Sequence, residues 1–459
     1  MRRWEADVAV VGAGLAGLTA AAELERLGAT TVVLEARERV GGRVLSRTIG
    51  GGAAIDQGGQ FVGPPREGPW LMADACRELG VERFRTHDGG DKLVLLGLRR
   101  VRYRGLAPPS PWHAALELVH AKDVLERMAR ALPSDAPWRG EQADRLDGQT
   151  YATWIERHVR TRQSRALLRM ATETLYAAEP EELSLLHVLS YVRSAGRGHL
   201  THLARVGRGH QQEQLRGGAQ AVPLRIAARL DGELALRACV RRVAVHGDAI
   251  ELSGPAGAAR CRRAVIALPP ALAARLEYEP ALPTARDGAA QAFRGGSVIT
   301  ASVVYDEPFW RREGLSGYAA STSGPVRGAL DVTPPEDGRG ILQAFVVAGA
   351  ARALGGRPAG ERRVAILDAL ARFFGGRARA PQLYFEKDWS ADPWTRGCYH
   401  GIGAPRAWVT YGSALRAPVG PLHWAGSETA TWGLGTMEGA IDSGRRAARE
   451  VARALRLAS

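Results

Sequence analysis

Two spacings of apolar residues divide the chain into predicted strands and helices. A short β-branched run, VAVV at residues 8–11, predicts a buried strand and ends in the glycine-rich stretch GAGLAG at residues 12–17. The Ala- and Leu-rich stretch at residues 18–27 has the spacing of a helix, which Gly28 ends. A second apolar run, at residues 31–34, predicts another strand. This order predicts a complete β-α-β unit at the start of the chain.

The same periodicities predict a helical part between two parts that are rich in strands. Residues of about 80–205 are expected to be mostly helical, and a strand-like segment precedes them at residues 43–63. Four predicted helices carry apolar residues at i, i+3 and i+4, at residues 112–132, 151–159, 163–178 and 183–194. Further helices are predicted at 69–79, at 360–374 and at the end of the chain from near Met437. The predicted strands are 233–236, 241–245, 249–252, 263–267, 297–305, 340–347 and 422–425.

The glycine-rich stretch has the G-x-G-x-x-G spacing of a dinucleotide-binding turn. Gly12 permits the tight turn, Gly14 lets the backbone approach a pyrophosphate, and Gly17 lets the helix pack closely on the strand. The free N–H groups at the start of the helix favour a phosphate. Glu35 ends the second strand, where a carboxylate can bind a ribose diol. An ordinary α/β turn is the alternative, which the complete unit disfavours.

Composition and charge exclude several classes of protein. The 459 residues suffice for two domains and a buried cavity, and no apolar run approaches the roughly 20 residues that span a bilayer. The basic start precedes a strand, so we expect no signal peptide, a cytoplasmic protein and no membrane partner. Of 62 basic residues only three are lysines, and this biased composition predicts a solvated surface rather than a nucleic-acid partner. The cysteines and histidines lack metal-site spacing.

A second block with chemical content lies at residues 422–451, LHWAGSETATWGLGTMEGAIDSGRRAAREV. A strand, a glycine, a hydroxyl and a carboxylate precede a helix in this block. The N-terminus of a helix can stabilise negative charge on a reduced flavin ring. Glu438 and Gly439 in the first helical turn have ordinary capping as an alternative role.

Together these blocks resemble the flavin-dependent monoamine oxidase family, within the wider group of FAD amine oxidases and polyamine oxidases. The resemblance runs through the ordered motifs GAGLAGL, EARERVGGR, DQGGQF, QQEQLRGG, RRAVIALPP, GGSVITASVVYDEPFW, EKDW, RGCY and AGSETAT. It implies an α/β fold with two interleaved domains: a Rossmann-type FAD-binding domain (residues 1–79, 206–280 and 390–459) and an α+β substrate-binding domain (80–205 and 281–389). A homodimer is compatible with this interpretation, and the oligomeric state stays open.

The resemblance implies FAD as the cofactor. The first unit would hold its adenosine and pyrophosphate, the C-terminal block would hold its ribityl chain and pyrimidine edge, and Trp389 would pack beside the isoalloxazine. The residues implied as cofactor-binding are Gly12, Gly14, Ala16, Gly17, Glu35, Ala36, Arg37, Gly42, Arg43, Gly58, Gly59, Gln60, Val240, Trp389, Cys398, Gly426, Ser427, Glu428, Gly435 and Met437. Two alternatives stay open for Cys398: a thioether bond to the flavin, or a free cysteine beside non-covalent FAD.

Two positions depart from the family pattern. Where the family usually has a lysine that faces flavin N5 through a water and assists the reaction with oxygen, this chain has Thr300. Of the two aromatic side chains that sandwich the substrate amine, Tyr399 matches one, whereas the other position holds Thr436. Trp432 could replace that second wall only in part. We therefore expect a wider, more polar pocket and a bulkier or less typical amine; the alternative is tolerated drift in an ordinary amine oxidase.

These residues predict an FAD-dependent oxidoreductase that oxidises the C–N bond of an amine to an imine, by hydride transfer to flavin N5. Oxygen or another acceptor would reoxidise the flavin, with peroxide released when oxygen is used. The catalytic candidates are Tyr399, Thr436 and Thr300, and the substrate wall would also include Gln211 and Tyr176, for which ordinary packing is the alternative. A dehydrogenase or desaturase of a non-amine or specialised metabolite, with poor oxygen reactivity, is the alternative function. A flavin-binding scaffold without turnover is a third.

Overall fold

Short strands make up much of the computed structural model, which describes residues 2–63, 69–105, 107–207 and 209–457. The strands are β1 (Arg2–Glu5), β2 (Val8–Val11), β3 (Thr31–Leu34), β4 (Ser46–Thr48), β5 (Ala54–Asp56), β6 (Arg83–Arg85), β7 (Asp91–Leu96), β8 (Arg99–Tyr103), β9 (Glu213–Leu215), β10 (Glu233–Ala235), β11 (Arg242–His246), β12 (Ala249–Gly254), β13 (Gly257–Cys261), β14 (Arg263–Ile266), β15 (Glu277–Glu279), β16 (Phe293–Gly295), β17 (Val298–Tyr305), β18 (Leu315–Ser321), β19 (Val326–Asp331), β20 (Gly340–Val347), β21 (Leu383–Asp388), β22 (Gly401–Gly403) and β23 (Leu422–Trp424).

Helices separate these strands and cover two of the sheets. They are α1 (Leu15–Arg26), α2 (Leu71–Leu79), α3 (Trp112–Arg130), α4 (Ala143–Asp147), α5 (Tyr151–His158), α6 (Arg162–Tyr176), α7 (Leu185–Ser194), α8 (Leu200–Ala204), α9 (Ala221–Ala227), α10 (Pro270–Ala273), α11 (Thr284–Ala292), α12 (Phe309–Arg312), α13 (Ala348–Gly355), α14 (Ala359–Phe374), α15 (Ala407–Tyr411) and α16 (Met437–Leu455). Short 3₁₀ turns occupy Pro137–Arg139, Gly376–Arg379 and Ser427–Thr429. Within the described ranges, no helix combines the length and the apolar character needed to cross a membrane.

The dinucleotide-type unit lies at the centre of a five-stranded parallel sheet in the order β10-β3-β2-β14-β23. All four residues of β2 and of β3 are buried, as expected for strands covered on both faces. α1 and α16 pack against each other on one face of this sheet. On the other face lies a second five-stranded sheet, whose strands β11, β12 and β13 form an antiparallel meander.

The remaining large sheet has seven strands in the order β21-β17-β20-β19-β18-β7-β8. β17 and β20 are buried along their whole length and pair antiparallel, so that Thr300 faces Phe345. α14 packs against this sheet, and helices α3 to α7 form a separate hydrophobic cluster with α15. The space between the parallel sheet, the seven-stranded sheet and the helical cluster holds the candidate site.

Several sequence-based element predictions require correction. The stretch at about 80–205 is not mostly helical from its start, because β6, β7 and β8 occupy residues 83–103 and two of them join the seven-stranded sheet. The strands β1, β13, β18, β19 and β21 were not predicted, and the segment at 43–63 contains the short pair β4 and β5. The proposed domain boundaries stay a prediction. α15 lies in the stretch assigned to the FAD-binding domain, but it packs with the helical cluster assigned to the substrate-binding domain.

Candidate active site

A cavity of about 590 Å³ opens between the ends of the parallel strands and the seven-stranded sheet. Its size falls within the range of roughly 300–1,000 Å³ that is typical of ligand sites. It gathers residues that lie hundreds of positions apart in the chain. Among the residues predicted for the site, those that line it are Gly12, Gly14, Ala16, Glu35, Ala36, Arg37, Gly42, Arg43, Gly58, Gly59, Gln60, Gln211, Val240, Thr300, Trp389, Cys398, Tyr399, Gly426, Ser427, Gly435, Thr436 and Met437.

The first glycine turn forms one end of the cavity with bare backbone. Gly12 has φ +102°, a conformation that favours glycine. A Cβ on Gly17 would lie 2.0 Å from the carbonyl oxygen of Gly12, so Gly17 is required for packing beneath the turn and does not line the cavity. Gly14 precedes α1 without a side-chain cap, and a Cβ there would meet no described atom within 4 Å. The N–H groups of the first helical turn are thus available to an anion.

Two carboxylates are held at fixed positions around this end. Glu35 is buried, and its two oxygens accept hydrogen bonds from the backbone N–H groups of Ala13 (2.7 Å) and Arg37 (2.9 Å). The Arg37 guanidinium binds Asp392 at 2.7 Å, which orients it along the cavity wall. A carboxylate at the end of the second strand beside a glycine turn is the arrangement that binds a ribose diol.

Glu428 does not line the cavity but forms a buried ion pair behind it. Its Oε1 and Oε2 accept hydrogen bonds from Arg43 Nη1 and Nη2 at 2.5 and 3.0 Å, and Oε1 also accepts from the N–H of Gly401 at 2.9 Å. Burial alone would raise the pKa of Glu428, but the charge and hydrogen bonds of Arg43 outweigh it and hold that pKa at about 2. Arg43 is therefore fixed as a cation on the cavity wall.

Two side chains on the cavity wall donate hydrogen bonds to the same backbone carbonyl group. Thr300 Oγ1 and Trp389 Nε1 both donate to the carbonyl oxygen of Gln57, each at 2.8 Å. Lys387 is the cross-strand partner of Thr300, so a lysine lies nearer to Thr300 than the positions of the sequence motifs indicate. Its Nζ, however, binds Asp392 at 2.6 Å. Among the described residues that line the cavity, none is a lysine.

Cys398 and Tyr399 lie beside Trp389 on the same wall. Burial raises the pKa of the Cys398 thiol to about 12, so the group is a neutral thiol at physiological pH. Burial likewise raises the pKa of the Tyr399 phenol above its ordinary value. The Tyr399 carbonyl oxygen accepts a hydrogen bond from Arg43 at 3.1 Å, which ties this wall to the buried ion pair.

The other substrate candidates divide between wall and core. Gln211 lines the cavity, and its buried Oε1 has no hydrogen-bond partner among the described residues. Thr436 also lines it, but its hydroxyl caps α16 by accepting from the N–H of Gly439 and donates to the carbonyl of Gly433. Tyr176 is not on the wall: it is buried, and its hydroxyl donates to the carbonyl of Val188 at 3.3 Å. Trp432 also lies outside the cavity wall.

Tyr191 and Arg327 are two of the wall residues that the sequence did not reveal. Tyr191 of α7 faces the cavity with its ring stacked on His400, at 5.0 Å between centroids and 5° between planes. In the sequence it is one aromatic residue in an apolar helix, which is the pattern of an ordinary core residue. Arg327 of β19 also lines the cavity, and a single arginine among 59 carries no sequence signal.

The residues present fit FAD. A bare glycine turn beside a helix N-terminus suits a pyrophosphate, and Glu35 suits a ribose. The same cavity is also lined by Gly59, Met437, Trp389 and Tyr399, a largely apolar and aromatic set that suits a flat ring system. A Cβ on Gly59 would lie 3.1 Å from Met437 Sδ, so the wall is already closely packed there.

Comparisons with known proteins agree with this architecture. The chain is 37% identical over 449 residues to a putative flavin-containing monoamine oxidase, AofH, of Mycobacterium tuberculosis, which covers 98% of this chain and 97% of the relative. It is 33% identical over 462 residues to an L-amino acid dehydrogenase of Synechocystis sp., which covers 97% and 94%. The structure of wild-type putrescine oxidase bound to putrescine matches with a TM-score of 0.93 at 32% identity, over 98% of this chain and 100% of that chain.

These matches confirm the predicted α/β amine-oxidase fold, the FAD cofactor and an oxidoreductase that acts on amines. The model of the family described as flavin containing amine oxidoreductase matches residues 15–452. Since that match spans nearly the whole chain, the chain belongs to the family of flavin-containing amine oxidoreductases.

Proposed function

We propose that this enzyme oxidises the carbon–nitrogen bond of an amine to an imine, with oxygen as the acceptor. Bound FAD supplies the chemistry by accepting a hydride at N5. The residues of the chain provide the position, the dry surroundings and the electrostatics. The observation that carries the proposal is the continuity of one cavity from the bare glycine turn at Gly14 to the aromatic wall at Tyr399.

The aromatic wall orients the substrate amine. Tyr399 and Tyr191 both line the cavity, in which the glycine turn is also exposed. We assign to Tyr191 the second wall that Thr436 lacks, because its ring is stacked on His400 and also meets the Tyr176 ring at a tilt of 59°, with ring centroids 5.0 Å apart in each case. Burial at this wall disfavours an ammonium, so the amine binds neutral and needs no separate base. Gln211, whose Oε1 has no partner among the described residues, is a further contact for the substrate.

Anaerobic titration of the holoenzyme with a panel of primary and secondary amines tests this proposal. We expect loss of the oxidised flavin absorbance with at least one amine and release of the aldehyde or ketone that the imine yields on hydrolysis. A Tyr191→Ala variant should reduce the rate of flavin reduction more than Tyr191→Phe, which keeps the ring. Flavin that stays oxidised with every amine would overturn the proposal.

A second candidate keeps amine oxidation but replaces oxygen by another electron acceptor. Thr300 is uncharged, its hydroxyl is already bound to Gln57, and no described wall residue is a lysine, so the position where the family usually has a lysine offers no charge to oxygen. The relative from Synechocystis is called a dehydrogenase. Rapid mixing of the reduced enzyme with oxygen separates the two: prompt reoxidation with peroxide supports the oxidase, whereas slow reoxidation that a quinone or dye accelerates supports the dehydrogenase.

We also propose that Cys398 forms the thioether bond to the flavin. Its support is the position of Cys398 on the wall beside Trp389 and Tyr399. A homodimer and a cytoplasmic location stay predictions.

A further inference from the structure

Arg327 occupies an irregular position in the strand that borders the substrate end of the cavity. In the pairing of β19 with β20, Val326 lies opposite Val346, whereas Gly328 lies opposite Phe345. Arg327 is thus the extra residue of a β-bulge. Bulges next to active sites commonly re-aim a side chain, and this one directs Arg327 to the cavity wall.

Only some of the N–H donors of Arg327 have partners among the described residues. Its Nε donates to Glu173 Oε2 at 2.5 Å, and its Nη1 donates to the carbonyl of Gly324 at 3.1 Å. Its Nη2 binds no described residue. The side chain is 18% exposed and that of Glu173 is 11% exposed, so the pair is largely desolvated. A guanidinium fixed in this way presents a free donor to a ligand.

No acidic group faces Arg327 from inside the cavity. Among the described residues that line the cavity, the only carboxylate is that of Glu35, which is bound to Ala13 at the glycine turn. Glu173 reaches Arg327 from behind the wall and does not line the cavity. The substrate end therefore presents a cation, which favours an anionic group and disfavours a second ammonium.

The strand pairing also gives the distance between Thr300 and the bulge that contains Arg327. Thr300 pairs with Phe345, and Phe345 pairs with Gly328, so the bulge lies two strands away from Thr300. At about 4.8 Å per strand, the two positions are roughly 10 Å apart. An amine that reacts near Thr300 and Tyr399 would direct the far end of its molecule towards Arg327.

We propose that the substrate is an amine that carries a carboxylate several bonds from the reacting nitrogen, and that Arg327 binds this carboxylate. The inference rests on the proposed amine oxidation. Diamines of the same length should be poor substrates, because their second ammonium would face Arg327.

Three amines of one chain length test the proposal with the holoenzyme: hexylamine, 6-aminohexanoate and 1,6-diaminohexane. We expect the highest kcat/KM for flavin reduction with 6-aminohexanoate and the lowest with the diamine. Arg327→Gln should lower the ratio of kcat/KM for 6-aminohexanoate over hexylamine by about 10- to 100-fold, the effect of one charge-assisted contact. Arg169→Gln is the matched control. Arg169 lies on the same helix as Glu173 and forms an exposed ion pair with Glu181, so its replacement should leave the ratio unchanged.

Loss of Arg327 leaves a buried carboxylate unpaired, so a Glu173→Gln/Arg327→Gln double variant provides a second test in a protein without that unpaired charge. Equal ratios in wild type and double variant would overturn the proposal and leave Arg327 a structural partner of Glu173. If none of the three amines reduces the flavin, the wider panel of amines decides the proposed amine oxidation, which fails on its own when the flavin stays oxidised with all of them. The carboxylate site is then judged by the flavin spectral change on titration with hexanoate: weaker binding by Arg327→Gln supports it, and equal binding overturns it.

Discussion

We expect the side chain at position 300 to control the rate at which the reduced flavin reacts with oxygen. Thr300 is neutral, and its hydroxyl is engaged with the Gln57 carbonyl. A cation there would stabilise the negative charge that develops on oxygen. Thr300→Lys is therefore expected to raise the rate constant for reoxidation of the reduced flavin by oxygen about 100-fold, the effect of one preorganised charge-stabilising donor.

Stopped-flow mixing of reduced enzyme with oxygen measures this constant. Thr300→Met, of similar length but without charge, separates the effect of charge from that of volume. Equal reoxidation by the Lys and Met variants, with full flavin content in both, would show that charge at this position is irrelevant.

We expect the thiol of Cys398 to determine whether FAD is held covalently. Because its pKa is raised to about 12 by burial, the thiolate is scarce at neutral pH, and the thiolate is the nucleophile. We expect acid-precipitated wild type to keep its yellow flavin in the pellet, and Cys398→Ala to release it. We also expect linkage to apoprotein reconstituted with FAD to accelerate by up to tenfold per pH unit below that pKa. A colourless wild-type pellet would rule out the bond.

At the scale of one element, the glycine turn before α1 separates two roles that look alike in sequence. A Cβ at Gly17 would collide with the Gly12 carbonyl at 2.0 Å, whereas a Cβ at Gly14 meets nothing described within 4 Å. Gly14 also has φ −75°, which alanine adopts freely. Gly17→Ala should thus lower the melting temperature of the apoprotein by several degrees. Gly14→Ala should leave it unchanged but weaken FAD binding.

Differential scanning calorimetry of the apoproteins and fluorescence titration with FAD measure both effects. Gly28→Ala offers a control at a positive φ away from the cavity wall. If Gly14→Ala bound FAD as wild type does, the pyrophosphate would have to bind elsewhere.

Local periodicity accounts for what was predictable among the elements. β2, α1, β3 and α16 carry their burial pattern within their own residues, so the sequence predicts them closely. β1 has one buried residue, Trp4, and β8 is largely exposed and arginine-rich, so neither shows the alternation of a strand. β1 forms because a distant strand, β13, provides its hydrogen bonds, whereas β8 forms because the preceding strand, β7, pairs with it in a hairpin that joins the seven-stranded sheet.

At the scale of the whole molecule, a buried ion pair joins residues 43 and 428. Because the folded pKa of Glu428 is about 2 and its ordinary value is 4.5, its contribution to stability is complete above about pH 4.5. That contribution, on the order of 3 kcal/mol, should be lost as the pH falls from 4.5 towards 2. Glu428→Gln should destabilise the protein at neutral pH, because Arg43 is left unpaired.

The difference in melting temperature between wild type and Glu428→Gln, followed from pH 7 downwards, isolates this pair. Asp56 and Glu438 act in the opposite direction: burial raises their pKa to about 7, so each lowers stability as the pH rises from about 4 to 7. Their contributions cancel in the difference. A difference that stays constant down to pH 2 would contradict the assignment.

Long-range assembly also explains which parts of the site the sequence revealed. Glycine turns and strand-end carboxylates can be recognised in the sequence, because their chemistry depends on neighbours in the chain. Tyr191 and Arg327 reach the wall through the packing of α7 and through a bulge in β19, and neither depends on nearby residues in a recognisable way. Tyr176, in contrast, belongs to the core behind Tyr191.

The residues of the cavity wall are spread along the chain, and this has a consequence while the chain is being synthesised. The cavity begins at Val11 and is completed only by Ala440, in the first turns of α16. β23 joins the parallel sheet beside β14 late in the chain. A nascent chain that has not reached α16 lacks this last wall, so the flavin has no closed site to enter before residue 440 is made. A chain truncated before α16 should therefore emerge colourless.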